Sequence, residues 1–465
     1  MNTPVKKHGR SVIIMDLFYQ VVDWINDLVW GPYMIALLVG TGVFLSIRLG
    51  FIQVFKFPYI YRNTIKKAFV KDDEGEGDIT SAQAGLTSIA AVVGTGNIAG
   101  VATAVSIGGP GALFWMWVSA FFGMATKFAE VTLGIHFRER RGDGSFSGGA
   151  MYYIEKGIGQ KWMAVFFSIM VIIAYFIVGA IVDTHTIAMS VQEQWGVQPV
   201  ITGIVFAILS GLVILGGIKR IGEVCQFLTP IMSGLYIVAG LAIIILNIDK
   251  VPGAFYDIFS TAFNPASATG GFAGATMARM ITIGTARGLF SNEAGIGSSP
   301  IIHCSAKVNH PTEQGIWGAI EVFVDTLIIG SITGLAIVIS GEWVTGVSGA
   351  ALTMRAFGNT LPGNIGSYIV LISAILFGYS CLISANYYCE RAGDYLFGSK
   401  VIVPMRVLWV IFIVIGSMGG LEFVWDLADA ANGLMAIPNL IAVIMLSGMV
   451  VKLTKEFFDK EKEKI

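Results

Sequence analysis

Two short runs, far apart in the chain, share the pattern Asn-x-Ala-Gly: Asn97-Ile98-Ala99-Gly100 and Asn292-Glu293-Ala294-Gly295. Each lies in a cluster of glycines, Gly94, Gly96 and Gly100 in one and Gly288, Gly295 and Gly297 in the other. Glycine in a helix interior costs about 1 kcal/mol relative to alanine, so such clusters mark places where a helix unwinds. Unwinding exposes N–H groups at the start of the following half-helix and carbonyls at the end of the preceding one, with partial charges of opposite sign. N–H groups around Ile98 to Gly100 can then hold a carboxylate. Carbonyls from Ala91 to Gly94 can bind a hard cation together with hydroxyls from another helix. A molecule carrying one positive and one negative group fits between two such breaks. The expected binding residues are Gly96, Asn97, Ile98, Ala99 and Gly100 on one side and Phe290, Ser291, Asn292 and Glu293 on the other, with Phe290 walling off a long side chain.

Ionisable residues inside the apolar stretches add to this chemistry. Glu293 is a carboxylate near the middle of one of them, where a charge costs at least ~2.5 kcal/mol on insertion scales. It can bind a cation, take a proton, or cap a half-helix beginning near Gly295. Arg287, six residues earlier, is expected to pair with Glu293 or Asp183. Asp325 lies one turn from Glu321, where pairing between helices or a proton or ion pathway is expected.

The elements that must position these residues follow from composition. Of 465 residues 55% are apolar and 13% charged, and the mean hydropathy is +0.73, which excludes an ordinary soluble domain. Net charge is −1, which argues against a nucleic-acid partner. No GxxxxGK[ST], HExxH or GxSxG motif occurs, which argues against a primary pump and an intramembrane enzyme. The four cysteines form no CxxC, so neither a disulfide framework nor a metal cofactor is expected. Apolar runs long enough to cross ~30 Å of hydrocarbon predict an all-α membrane protein with about eleven spans: 29–47, 82–105, 110–135, 162–191, 199–218, 221–248, 275–307, 313–340, 364–390, 402–419 and 426–451. Residues 1–28 are expected to end in an amphipathic segment, 11–28, at the bilayer interface, and 452–465 to form a charged cytoplasmic tail. Alternate connections, with the charged span ends beside them, hold 23 and 5 Lys/Arg. The positive-inside rule then places the N-terminus outside and the C-terminus in the cytoplasm of a multi-pass cell-membrane protein.

The two breaks fall in the second and seventh spans. They lie five spans apart, an odd number, so the two halves run through the bilayer in opposite senses. That is the arrangement of an inverted repeat, 82–248 and 275–451, preceded by one extra helix, 29–47. It implies a secondary transporter working by alternating access; a channel is the alternative.

The motifs Gly94-Thr-Gly-Asn-Ile-Ala-Gly-Val-Ala102, Gly109-Pro-Gly-Ala-Leu-Phe-Trp-Met-Trp117, Gly148-Gly-Ala-Met-Tyr-Tyr153 and Arg287-Gly-Leu-Phe-Ser-Asn-Glu-Ala-Gly-Ile-Gly297 resemble those of the alanine or glycine:cation symporter family. The resemblance implies the leucine-transporter fold, five plus five inverted spans, and uptake of alanine or glycine coupled to sodium or protons. It also implies that the cation partner of the first break is the eighth core helix, here 364–390. The expected sodium ligands are therefore the carbonyls of Ala91 and Gly94 and the hydroxyls of Ser380 and Ser384, with Cys381 a poorer substitute for oxygen.

Overall fold

The computed structural model describes residues 8–69, 75–142, 144–263, 277–419 and 422–463, nearly all of them helical. Lys6, Lys7, Lys71, the first two residues of the expected seventh span and the last two of the tail lie outside the described residues. Among the described residues eight helices are long and apolar enough to cross a bilayer, or nine if the bent pair Ser81–Val92 and Gly96–Gly108 is one span. The fifth apolar run forms a shorter helix, Pro199–Ile214, and the seventh is divided into Met277–Asn292 and Pro300–His303. Each expected run thus has a helical counterpart. The amphipathic segment belongs to a helix, His8–Val29, that leads almost directly into Pro32–Arg48 and lies along the start of the last helix, Glu422–Glu463.

Local sequence explains where helices start and bend. Thr80 and Gln83 form a reciprocal capping box at the head of Ser81–Val92, satisfying N–H groups that the helix leaves unpaired. Proline opens Pro32–Arg48, Pro199–Ile214 and Pro311–Val322, where its missing N–H is harmless. At the first break Ser81–Val92 ends and a wide π turn, Gly96–Gly100, begins, with a bend of 48° between the two half-helices. Further π segments occupy Phe176–Val182 and Phe323–Gly330. The inserted residue of a π turn shifts the helical phase, and such turns concentrate at functional positions. Asp183 follows one of these segments directly and Asp325 sits in another.

The third span, Gly111–His136, is mostly buried and packs against the seventh and eighth spans and the first. Lys127, counted among the charged span ends, is fully buried inside this helix and faces no connection. Its ammonium lies 3.2 Å from Glu321 of the eighth span and donates to Ser299 at 2.6 Å. Glu321 also accepts from Ser299 and Ser88 and pairs with His303 at 3.0 Å, while Gln314 meets the other ring nitrogen at 2.7 Å. Every member is buried, and the network ties both broken spans to the third and eighth.

Candidate functional site

The two breaks meet. Asn97, fully buried, accepts from the N–H of Gly94 at 2.9 Å and donates to the backbone carbonyl and the carboxylate of Asp325 at 3.0 and 2.8 Å. From the second break Ser291 donates to the same carboxylate at 3.2 Å, and Asn292 donates to Thr326 at 3.0 Å. Asn97 therefore fixes the unwound backbone and, through Asp325, joins it to the other break. Asn292 does the same within its own break, accepting from the N–H of Ala294.

Beside this junction lies a small cavity of about 40 Å³. Gly94, Thr95 and Gly96 line it from the first break, Phe290, Ser291 and Glu293 from the second, and Asp183, Cys381 and Asn432 from other spans. Ile98, Ala99 and Gly100 do not, because the chain turns helical again at Thr95 and Gly96, earlier than the sequence suggested. The N–H groups nearest the cavity are accordingly those of the first turn at Thr95 and Gly96. Asn97 and Asn292 stand behind the lining as its supports.

Glu293 has a positive φ of 55°, rare for a residue with a side chain, which turns the chain out of Met277–Asn292. Its carboxylate accepts from the Ser298 hydroxyl, and the helix resumes only at Pro300, so it does not cap a half-helix at Gly295. Arg287 pairs with neither Glu293 nor Asp183. It reaches Asp429 of the last helix at 3.5 Å, with its guanidinium 5.8 Å from the Phe290 ring centroid. A second cavity, about 510 Å³, opens between Trp30, Arg287, Phe290 and Asp429, so Phe290 stands between the two spaces.

Around the end of Ser81–Val92, Ser380 donates to the carbonyl of Ala90 at 2.9 Å, and the Cys381 thiol lies 3.3 Å from the carbonyl of Ala91. Ser384 lies elsewhere. Its hydroxyl is 3.4 Å from the thiol of Cys225 in Gly217–Leu246, so of the two expected serines only Ser380 reaches the break.

Asp183 and Asn432 line the site without having been expected there. Asp183 is buried and accepts from the Thr95 hydroxyl at 2.8 Å. The side-chain oxygen of Asn432 is buried with no hydrogen-bond partner among the described residues. An intramembrane aspartate was visible in the sequence, but nothing local connected it to a break nearly 90 positions earlier.

The fold and a cavity lined by two carboxyl groups between two broken spans define a multi-pass membrane transporter with the leucine-transporter fold. A crystal structure of MhsT in complex with L-phenylalanine aligns with a TM-score of 0.59 at 14% identity, over 80% of this chain and 89% of that one. A substrate-bound, outward-open Na⁺-coupled sialic acid symporter aligns with a TM-score of 0.51 at 14% identity, over 92% and 86%. The chain belongs to the sodium:alanine symporter family, whose model matches residues 15–465. It is 45% identical to the sodium/alanine symporter AgcS of Methanococcus maripaludis over 95% of this chain and 97% of that one. It is 36% identical to the amino-acid carrier protein AlsT of Bacillus subtilis, over 96% and 93%. These relationships make it a sodium-coupled amino acid transporter.

Proposed function

We propose that this transporter imports alanine or glycine with sodium, by alternating access about the 40 Å³ cavity between the two breaks. The observation that carries the reading is the lining of that cavity. The substrate carboxylate meets the N–H groups of Thr95 and Gly96, where a helix start favours an anion. Its ammonium meets Asp183, the free oxygen of Asn432 and the end of Met277–Asn292 near Glu293. The cavity is too small for a long side chain in this state, and Phe290 closes it toward the larger space.

Charge supplies the reason for coupling. Two carboxylates, Asp183 and Glu293, face the cavity, and a zwitterion adds no net charge. A cation bound nearby offsets one of the two negative charges, so each solute favours binding of the other, and linkage makes that preference reciprocal. The carbonyls of Ala90 and Ala91 with the Ser380 hydroxyl form an oxygen-rich corner suited to sodium. A proton serves the same balance, which keeps proton coupling as the alternative. In this reading the Arg287–Asp429 end faces outside and the C-terminus lies in the cytoplasm, as the Lys/Arg distribution directs.

Uptake of labelled alanine into proteoliposomes, with sodium and pH gradients imposed separately, tests the proposal. Sodium-driven accumulation, competed by glycine but not by leucine, is expected. Accumulation driven by a pH gradient alone, or equal competition by leucine, refutes it.

A further inference from the structure

At the end opposite Arg287 and Asp429 the two broken spans are stitched together by their backbones. Ile79–Thr80, just before Ser81–Val92, pairs in parallel with Ala306–Lys307, just after Pro300–His303. The N–H groups of Asp78 and Ile79 both donate to the carbonyl of Ser305, at 2.7 and 3.1 Å. The N–H of Val308 donates to the carbonyl of Glu76 at 3.4 Å. Gly77 permits this approach: a Cβ there would lie 2.3 Å from the carbonyl oxygen of Ala306.

A third element crosses the seam. The Arg138 guanidinium, in the connection after the third span, donates to the carbonyls of Cys304 and Ala306 at 3.1 and 2.6 Å, and to that of Glu76 at 2.6 Å. It thus binds carbonyls on both sides at once, and the fork of a guanidinium suits this where a single ammonium does not. Its plane is held over the Phe146 ring at 4.4 Å, and the N–H of Phe146 donates to the Asp78 carboxylate at 3.0 Å. Beneath the seam lies the thiol of Cys304, 1% exposed and covered by Gly148.

We propose that Arg138 is a positioning residue of the transport cycle: it holds this seam shut, and release of the seam opens the central cavity toward the cytoplasmic face. The geometry argues for a gate and not a permanent joint. The seam consists of two-residue strands with few hydrogen bonds, whereas long apolar helices carry the rest of the fold. It also joins the two half-helices that lead from the cavity to that face, so their ends must part for a solute to leave between them. The inference rests on the transport reading for its meaning, but its test does not depend on the solute.

Cys304 is the reporter. Inside-out membrane vesicles are treated with a small hydrophilic methanethiosulfonate, and modification of Cys304 is followed by peptide mass, which leaves the other three cysteines in place. Arg138→Gln is expected to speed modification at least tenfold, with Arg138→Lys in between. Sodium-dependent binding of alanine should change less than its rate of transport. Asp78→Ala, which removes the tie to Phe146, should act in the same direction and serves if Arg138→Gln does not accumulate. Modification of Cys304 at the wild-type rate in a stably inserted Arg138→Gln or Asp78→Ala protein overturns the proposal. Faster modification in a protein that moves no alanine leaves the seam standing and removes the transport reading instead.

Discussion

Replacing Asp183 by asparagine puts the proposed site to its most direct test. The substitution keeps size and an oxygen able to accept from the Thr95 hydroxyl at 2.8 Å, so the local fold should persist. It removes the charge that faces the substrate ammonium. A hydrogen bond to a charged partner contributes about 1.5–3 kcal/mol against about 0.5–1.5 for a neutral one, so the expected loss is about 1–2 kcal/mol. Removing one of two carboxylates also lessens the pull on the cation, which adds to the effect. Half-saturating alanine should therefore rise about 5- to 30-fold in proteoliposome uptake, and the sodium requirement should rise with it, because linkage is reciprocal. Thr95→Val, which removes only the hydroxyl that orients the carboxylate, should give a smaller rise, about 2- to 10-fold. Asp183→Asn protein with alanine and sodium dependence within twofold of wild type would show that this carboxylate does not face the substrate.

Three other outcomes are expected. Ser380→Ala should raise the sodium concentration for half-maximal uptake about 3- to 10-fold through loss of one oxygen beside Ala90, whereas Ser384→Ala, facing Cys225, should leave it unchanged; uptake against sodium concentration distinguishes them. Phe290→Ala should admit larger neutral amino acids by joining the two spaces it separates, read as leucine or glutamine competing with labelled alanine. Glu321→Gln leaves Lys127 buried without its counter-charge and should destabilise the protein by about 3–5 kcal/mol, seen as a lower melting temperature in detergent, while Ser88→Ala should cost about 1 kcal/mol.

The fold was legible because hydrocarbon permits so few arrangements: each apolar run must be a helix, and glycine clusters at 94–100 and 288–297 showed where two helices yield. The contacts across the chain were not. Ser380 and Ser384 share a helix face, so which of them meets the break depends on how far one long helix is shifted along another, and one turn of difference sends Ser384 to Cys225. Nor were the π segments visible, since Phe176–Val182 and Phe323–Gly330 lack the glycine crowding of the breaks. They fix the phase at which Asp183 and Asp325 stand, and so decide which carboxylates share a site. The pairing of Lys127, inside the expected third span, with Glu321 was not visible, because the two are remote in sequence and no local spacing announces the pair.

That pair bears on how the protein is made. Lys127 lies in the third span and Glu321 in the eighth, and membrane proteins are inserted as they are synthesised, N-terminal part first. Until the eighth span leaves the ribosome, the third carries the Lys127 ammonium with only Glu130, one turn on in the same helix, to offset it, at a depth where a charge is costly. The third span thus gains its full set of charge partners only when the eighth arrives. A fragment that ends before the eighth span is expected to be less stable in the membrane than the whole chain. Supplied together in the same membrane, the two halves have a built-in reason to find one another.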